Sequence, residues 1–310
     1  MNDIICIAGP TASGKTALAV ELATELGGEV VSCDSMQIYR RMDIGTAKPT
    51  AEEMQGIPHH MIDIIEPDEP FSVSRYCQMA TPIVDDILAR GKTVIIAGGT
   101  GLYMDSLIKG NDFAPFPATG HRQQLEARLE TEGLDALLTQ LRKIDPEAAT
   151  RSQGNPRRII RALEVYLETG ETITAHNLRT QAIPPRYQPV WLGLDFEDRG
   201  ELYRRIDLRV DIMLQMGLLE EIRHLLSEGI PADCTAMQAI GYKEFVHALA
   251  GLDTVENAAE EVKKGSRHYA KRQLTWFRRN PDMHWLTRKK DQPTEEILAA
   301  ARQILRKTDN

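Results

Sequence analysis

A glycine-rich segment near the start of the sequence has the residue types and spacing to hold phosphate groups. It fits the pattern G-x-x-x-x-G-K-[ST]. In such a loop the glycines let backbone N–H groups surround a diphosphate, and the lysine adds a cationic contact. The hydroxyl of the last residue can also hold Mg²⁺. The segment consists of Gly9, Pro10, Thr11, Ala12, Ser13, Gly14, Lys15 and Thr16.

A second residue able to do chemistry is Asp34, eighteen residues beyond Thr16, in the run Asp34-Ser35-Met36-Gln37. It follows an apolar strand candidate that we expect beside the strand preceding the loop, which would aim the carboxylate into the crevice at the loop. A carboxylate there can hold magnesium or accept a proton. The alternative is a helix N-cap, a position that Asp fills routinely.

The charge of the chain is unevenly distributed. The total is −8, yet the stretch from Lys263 to Lys290 holds ten Lys or Arg against the single acid Asp282, a local charge of +9. The rest therefore carries −17. An acidic body with one basic face is typical of a protein that binds a polyanion. Trp276 and Phe277 within this stretch predict aromatic side chains packed inward and basic ones facing the polyanion.

Buried strands must position these residues. Residues 4–8, 29–33 and 93–97 are apolar runs, each followed by candidate site residues, and helical patterns alternate with them. This order predicts an α/β fold of the P-loop NTPase type, a parallel sheet flanked by helices with ligands at the carboxyl ends of the strands. Residues 190–194 are a fourth strand candidate, followed by one long amphipathic helix from Ile206 to Leu225.

Two proline-rich joints, at 113–117 and 183–189, enclose a stretch of helical leucine spacing. We expect an inserted all-helical domain at 115–188, and a catalytic core with a helical, polyanion-binding end at 1–114 and 189–310. Asp145-Pro146 and Asn155-Pro156 within the insertion predict helix starts, each a cap followed by proline at the first helical position.

Composition excludes several classes of protein. No run of eighteen apolar residues occurs, and the first residues lack the pattern of a signal peptide, so we expect a soluble cytoplasmic protein without a membrane span. No segment suggests an obligate protein partner. The four cysteines are never two residues apart, which favours core thiols over a zinc cluster or disulfides. His59-His60 is interpreted as structural because no third metal ligand lies at suitable spacing.

Taken together, these motifs resemble those of the tRNA dimethylallyltransferases, in the bacterial form that has no appended zinc finger. The resemblance runs from the first strand candidate to about Leu286, and no single motif carries it. The further motifs are Gly45-Thr46-Ala47-Lys48-Pro49, Pro58-His59-His60, Gly98-Gly99-Thr100-Gly101-Leu102-Tyr103, Asn155-Pro156-Arg157-Arg158, Arg161-Ala162-Leu163-Glu164, Gly241-Tyr242 and Lys271-Arg272-Gln273-Leu274-Thr275-Trp276.

The resemblance implies transfer of a dimethylallyl group from dimethylallyl diphosphate to N6 of the adenosine at position 37, beside the anticodon, in tRNAs reading codons that begin with U. Pyrophosphate leaves, and Mg²⁺ neutralises its developing charge. The adenine amine is a weak nucleophile because its lone pair is delocalised, so a base that takes its proton would help. Asp34 is the candidate base, and the resemblance implies that Thr100 helps it to hold N6.

The resemblance also assigns residues to the two substrates. Lys15 and the rest of the loop would bind the diphosphate, and Arg205 and Arg209 are alternative arginines for reaching it. Arg157 and Arg158 sit where a cation opposes the helix dipole, so they face either a phosphate or solvent. The implied tRNA contacts are Asp34, Ser35, Met36, Gln37, Thr100, Arg122, Pro156, Arg157, Arg158, Ile159, Ile160, Gln238, Gly241, Tyr242, Lys243, Lys271, Arg272, Gln273, Thr275 and Arg278.

Two other classes share the strand, loop and helix. A P-loop kinase of a small metabolite is the nearest alternative, but such an enzyme has no use for a +9 stretch. A nucleotide-binding regulator would need switch or partner segments, and the sequence shows none that we can identify.

Overall fold

The computed structural model describes residues 3–110, 119–290 and 292–308. Backbone contacts divide these residues into two compact units. One holds the described residues up to Gly110 and from Arg186 onward, and the other holds the described residues from 119 to Pro185. The predicted joint at 113–117 and the predicted boundary after 114 lie outside the described residues. Among the described helices, none has the length and apolar character that a membrane span needs.

A parallel sheet of six strands forms the centre of the first unit. The four predicted strands are confirmed, with bounds that differ by at most two residues. Two strands were not predicted, a two-residue strand and one inside the basic stretch. The strands are β1 Ile4–Ala8, β2 Glu29–Ser32, β3 His59–His60, β4 Val94–Gly98, β5 Val190–Phe196 and β6 Met283–Arg288.

The order of the strands corrects one expectation. Across the sheet the order is β3-β2-β4-β1-β5-β6, so β4 lies between β1 and β2. The pairings run from Ile4 with Val94 to Ala8 with Gly98, and from Glu29 with Val94 to Ser32 with Ala97. The sequence suggested that Asp34 follows the strand adjacent to β1. In the structure it follows β2, which is separated from β1 by β4. It reaches the loop region because all the carboxyl ends lie at one edge.

Helices flank this sheet, which confirms the predicted fold class. β1, β4 and β5 are buried along nearly their whole length, as expected for parallel strands covered on both faces. One core cluster joins them to two helices, through side chains such as Leu18, Leu22 and Leu298. The helices of this unit are α1 Lys15–Leu26, α2 Ala51–Met54, α3 Val73–Ala89, α4 Gly101–Lys109, α10 Arg199–Gln215, α11 Leu218–Ser227, α12 Lys243–Leu249, α13 Val255–Phe277 and α14 Thr294–Thr308.

The single long helix predicted from Ile206 to Leu225 is wrong. Two helices, α10 and α11, replace it, separated at Gly217. Gly217 has a φ of 101°, a left-handed conformation that ends a right-handed helix and that glycine adopts without strain. The apolar spacing continues across the break because both helices pack on one core, which misled the sequence interpretation.

The second unit consists of helices in its described part. Leu125, Leu137, Leu141, Ile159 and Leu163 form its buried core. Both predicted helix starts are confirmed, since Asp145 accepts from the backbone N–H of Ala148 and Asn155 from that of Arg158. The helices are α5 His121–Glu132, α6 Leu134–Ile144, α7 Pro146–Ser152, α8 Pro156–Thr169 and α9 Ile173–Gln181.

Candidate active site

The glycine-rich loop connects β1 to α1 as the sequence predicts. Gly14 caps the helix with a φ of 90°, a conformation that favours glycine, and Lys15 is the first helical residue. The first N–H groups of a helix have no partner within it, so they are available to an anion at this end. Lys15 Nζ donates to the carbonyl of Pro10 at 2.7 Å.

A cavity of about 760 Å³ opens at the carboxyl edge of the sheet. It brings together most of the predicted site residues of the first unit, and its wall also includes apolar side chains. The predicted residues that line it are Thr11, Ala12, Ser13, Gly14, Lys15, Thr16, Asp34, Ser35, Met36, Gln37, Arg205, Arg209, Gln238, Gly241, Tyr242, Arg272 and Gln273. The apolar lining includes Leu208, Ile212, Met213, Ile240 and Val262.

Asp34 uses one carboxylate oxygen within its own segment and leaves the other for a ligand. Its Oδ1 accepts the backbone N–H of Met36 at 2.8 Å and that of Gln37 at 3.4 Å, which closes a turn and not a helix start. Among the described residues, no donor is bonded to the other oxygen, Oδ2. One oxygen of this half-buried carboxylate therefore holds the backbone, and the second is available to a ligand in the cavity.

Thr100 lies against the Asp34 segment, although it does not line the cavity. Its Oγ1 accepts the backbone N–H of Ser35 at 3.1 Å and donates to Ser35 Oγ at 3.4 Å. The predicted pair of Asp34 and Thr100 is thus brought together across the ends of two strands.

Three cations lie near the loop, one at the start of α1 and two on α10. Burial lowers the pKa of Lys15 to about 8; Asp34 opposes this shift and Arg209 adds to it. Burial also lowers the pKa of Arg209, against the opposing charges of Glu53 and Asp34. Arg205 Nε donates to the carbonyl of Ala12 at 3.3 Å. Both alternative arginines therefore lie at the cavity, Arg205 bonded to the loop itself.

Helix α13 presents one face to the ends of the strands. Gln273 accepts the backbone N–H of Thr11 at 3.0 Å and donates to the carbonyl of Gly99 at 3.0 Å. Trp276 Nε1 donates to Asp105 at 2.9 Å. The aromatic side chains of the basic stretch face inward as predicted, with Phe277 buried, while Lys271, Arg272 and Thr275 are exposed on the same helix.

Four side chains predicted to contact tRNA lie in the interior, so for them a direct side-chain contact is corrected. Gln273 is buried and spends both amide atoms on the protein. Tyr242 is fully buried, and its hydroxyl donates to Glu221 at 2.6 Å. Ile159 and Ile160 belong to the core of the second unit. In these segments the exposed residues are the ones left to contact tRNA, and those contacts remain predictions.

The motif from Gly45 to Pro49 also has a structural explanation. Glu221 accepts the backbone N–H groups of Asp43, Ile44 and Gly45 at 2.8, 2.7 and 3.2 Å. A Cβ at Gly45 would lie 2.5 Å from the Tyr242 ring, so only glycine fits there. This arrangement fixes the loop that follows Asp34 and its neighbours.

The +9 stretch is less free than its sequence suggests. Lys263 pairs with Asp211, Arg267 with Asp207, and Arg278 Nη2 with the buried Asp195 at 2.8 Å. Among the residues that the structure describes, no carboxylate forms an ion pair with Lys271, Arg272 or Arg279. These three are the cations of α13 and its end that remain available to a polyanion.

The second unit holds a further group of predicted RNA residues, which includes three arginines. Arg122, Arg157 and Arg158 are exposed, with Arg122 bonded to Glu126 at 3.1 Å and Arg158 to the carbonyl of Arg151 at 3.4 Å. Pro156 begins α8. In the first unit, Lys243 pairs with Glu244 and Gln238 bonds the Ala232 carbonyl. The alternatives of phosphate or solvent stay open for Arg157 and Arg158.

The histidine pair forms β3. His59 Nδ1 is hydrogen-bonded with the carbonyl of Ile57 at 2.8 Å, and His60 Nε2 with Glu29 at 2.9 Å. In the described part of the chain, no group of three or more His, Cys, Asp or Glu is arranged to hold a metal ion.

Sequence reasoning missed Tyr269. It lines the cavity together with Asp34. Burial raises the pKa of its phenol to about 12, and the charge of Asp34 acts in the same direction. A signal for it exists: Tyr269, Gln273 and Trp276 are spaced by four and three residues, which places them on one face of a helix.

A strand, a phosphate-binding loop and a helix that open onto a cavity with one free carboxylate oxygen define a member of the P-loop class. Comparison with known proteins narrows this class. A family model described as IPP transferase matches residues 37–280. The chain belongs to the IPP transferase family.

Named relatives agree with this family over most of the chain. The tRNA dimethylallyltransferase of Thermoanaerobacter sp. (strain X514) is 50% identical over 285 residues, 91% of this chain and 90% of the relative. That of Acetivibrio thermocellus is 43% identical over 300 residues, 96% of each chain. The resemblance seen in the sequence is confirmed, as is the expectation of a transferase.

Solved structures show the same likeness. The chain is similar to the tRNA isopentenylpyrophosphate transferase from Bacillus halodurans, with a TM-score of 0.73 and 42% identity over 100% of this chain and 99% of that chain. It is also similar to a eukaryotic dimethylallyltransferase caught acting on tRNA, with a TM-score of 0.85 and 29% identity over 99% of this chain and 80% of that chain.

Proposed function

We propose that this protein transfers the dimethylallyl group of dimethylallyl diphosphate to N6 of the adenosine at position 37 of tRNAs that read codons beginning with U, and releases pyrophosphate. The observation that carries the proposal is the shared cavity. A loop built for a diphosphate and a carboxylate with one free oxygen, Asp34, line the same space, in a chain of the IPP transferase family.

The diphosphate end of the substrate would lie on the loop. The open N–H groups at the start of α1 and the ammonium of Lys15 would bind its oxygens, and Arg205 or Arg209 would add charge from α10. Lys15 would exchange its bond to the Pro10 carbonyl for one to the diphosphate. The apolar lining, which includes Ile212, would surround the five-carbon chain.

The reaction exchanges one bond for another. The N6 lone pair forms a bond to C1 of the dimethylallyl group as the bond from C1 to the diphosphate oxygen breaks, and the electron pair leaves with pyrophosphate. N6 then has one proton too many, and Asp34 Oδ2 accepts it. Thr100, which is bonded to the Asp34 segment through Ser35, supports the position of this base. Fixed cations at the loop stabilise the charge that develops on the leaving group.

We propose Mg²⁺ as the cofactor, held through Thr16. Magnesium is typically bound by one or two protein oxygens together with substrate phosphates and waters, and the hydroxyl of Thr16 at the start of α1 fits that donor set. When bound, the ion would neutralise negative charge on the departing diphosphate.

The RNA side of the proposal rests on exposed residues. Lys271, Arg272 and Thr275 project from the helix whose other face contacts the loop, and Arg122, Arg157 and Arg158 are exposed on the second unit. The target base must leave its stack to enter a protein cavity, at a cost of a few kcal/mol that backbone contacts must supply. We also propose that the protein works in the cytoplasm, since its proposed substrate is tRNA.

Transfer of label tests the proposal against a small-molecule kinase. The protein is incubated with Mg²⁺, labelled dimethylallyl diphosphate and an unmodified tRNA transcript, with a transcript carrying guanosine at position 37 as the matched control. We expect label only in the transcript with adenosine. ATP consumption without RNA labelling would contradict the proposal and support the kinase.

A further inference from the structure

Arg288, the last residue of β6, lies against the phosphate-binding loop without lining the cavity. Only 8% of it is exposed. Its Nη1 lies 3.1 Å from the position that a Cβ would occupy on Gly14, and its Nη2 donates to Thr294 Oγ1 at 3.0 Å. The guanidinium therefore packs against the residue that caps α1.

This buried cation is not compensated. Among the described residues, two buried side-chain polar atoms have no hydrogen-bond partner, Arg288 Nε and Ser13 Oγ, and both are at this loop. No ion pair joins Arg288 to a carboxylate in the part of the chain that the structure describes. Burial lowers its pKa, and the positive charge of Arg205 does so further.

A buried charge without a counter-charge is costly, and such groups are normally paired or removed. An anion bound to the amides of Gly14 and Lys15 would supply the negative charge that Arg288 lacks. Burying the Arg288 charge would then destabilise the free protein, and a bound anion would remove this destabilisation.

We propose that Arg288 is a positioning residue of the diphosphate site, which holds Gly14 in place and supplies positive charge through the loop. This role rests on the proposed function only in assuming that the ligand of the loop is a diphosphate. Arg288 acts through Gly14 and not by direct contact, since it does not line the cavity.

The test is the affinity of the whole protein for inorganic pyrophosphate in the presence of Mg²⁺, measured by calorimetry. Arg288→Met keeps the length of the stem and removes the charge, Arg288→Lys restores the charge, and Lys289→Gln is a matched control that removes an exposed charge one residue away. We expect Arg288→Met to weaken binding about tenfold, Arg288→Lys to recover most of it, and Lys289→Gln to stay within twofold of wild type.

The melting temperature without ligand separates this role from a merely structural one. An uncompensated cation costs the free protein stability, so we expect Arg288→Met to melt at or above the wild-type temperature. Pyrophosphate affinity within twofold of wild type in Arg288→Met would overturn the inference. So would equal weakening in Arg288→Lys, equal weakening in Lys289→Gln, or a lower melting temperature of Arg288→Met.

These results do not depend on prenyl transfer, because the probe is pyrophosphate. If the proposed function fails, the tRNA remains unlabelled while the effect of Arg288 on pyrophosphate affinity persists. If the role of Arg288 fails, labelling of tRNA by the wild-type protein is unaffected.

Discussion

Two regions of this molecule differ in how well the sequence predicts where a side chain lies. They are the diphosphate side, meaning the glycine-rich loop, and the RNA side, meaning the residues predicted to contact tRNA. On the diphosphate side, the residues from Thr11 to Thr16 all line one cavity, as their motif predicts. On the RNA side, the predicted residues are divided between exposed cations such as Arg272 and buried side chains such as Gln273 and Tyr242. A loop that binds through its backbone is specified locally, whereas a surface depends on which way each helix turns.

The largest expected effect separates the two chemical roles within the cavity. Asp34→Asn keeps an oxygen that can accept the backbone N–H of Met36, so the turn should persist while the base is lost. We expect the single-turnover rate of prenyl transfer to fall about 10² to 10⁴-fold. Pyrophosphate affinity, as the control, should stay within about twofold; a rate close to wild type would remove Asp34 from the mechanism.

Gln273 tests whether a residue of α13, the helix proposed to face RNA, serves the diphosphate side instead. Gln273→Met leaves the backbone N–H of Thr11 and the carbonyl of Gly99 without their partner, which should lower the free energy of unfolding by about 1 to 3 kcal/mol. Thr275→Ala on the exposed face should change it by less than about 0.5 kcal/mol. Chemical denaturation measures both, and equal values would show that Gln273 does not brace the loop.

Arg272 and Arg278 distinguish a free cation from a paired one. Arg272→Glu should weaken tRNA binding about tenfold and reduce its dependence on salt, with unchanged stability. Arg278→Glu should lower the free energy of unfolding by about 1 to 2 kcal/mol, because it places a second negative charge at the buried Asp195. Filter binding at several salt concentrations, with denaturation curves, measures the contrast. A salt dependence of Arg272→Glu identical to wild type would exclude this helix face from RNA binding.

The smallest effect is a pH dependence of the diphosphate side. The pKa of Lys15 is about 8 in the free protein, below its ordinary value, so the ammonium loses its proton as pH rises through 8. A bound diphosphate favours the charged form, and pyrophosphate affinity should therefore fall about fivefold from pH 8 to pH 9, with proton uptake on binding. Calorimetry in two buffers of different ionisation enthalpy measures this uptake. Affinity that is constant across this range would contradict the assignment.

Much of the fold could be predicted because its signals are local. The strand-loop-helix at the start, three further apolar strands and the Asp145 and Asn155 helix caps depend on neighbours in sequence, and the structure has them. β3 has only two residues. β6 is an edge strand in which the exposed His284 and Thr287 separate the buried positions. Neither contains enough apolar residues in sequence to show as a buried strand.

What could not be predicted depends on contacts between distant segments. The placement of β4 between β1 and β2 is a matter of sheet order, which apolar runs do not encode. The helix break at Gly217 was hidden by apolar spacing that continues through it. The inward direction of Gln273 is set by two backbone groups far away in sequence, Thr11 and Gly99. The family resemblance, which assigns the whole segment to RNA, does not show which of its side chains turn inward.

The central claim is that the diphosphate loop and the base share one cavity, and a crystal structure with Mg²⁺ and pyrophosphate tests it most directly. We predict pyrophosphate oxygens on the amides of Gly14, Lys15 and Thr16, with Lys15 Nζ moved from the Pro10 carbonyl onto the ligand and Asp34 Oδ2 facing the same space. Pyrophosphate bound away from the loop, or an Asp34 carboxylate turned out of the cavity, would contradict the account.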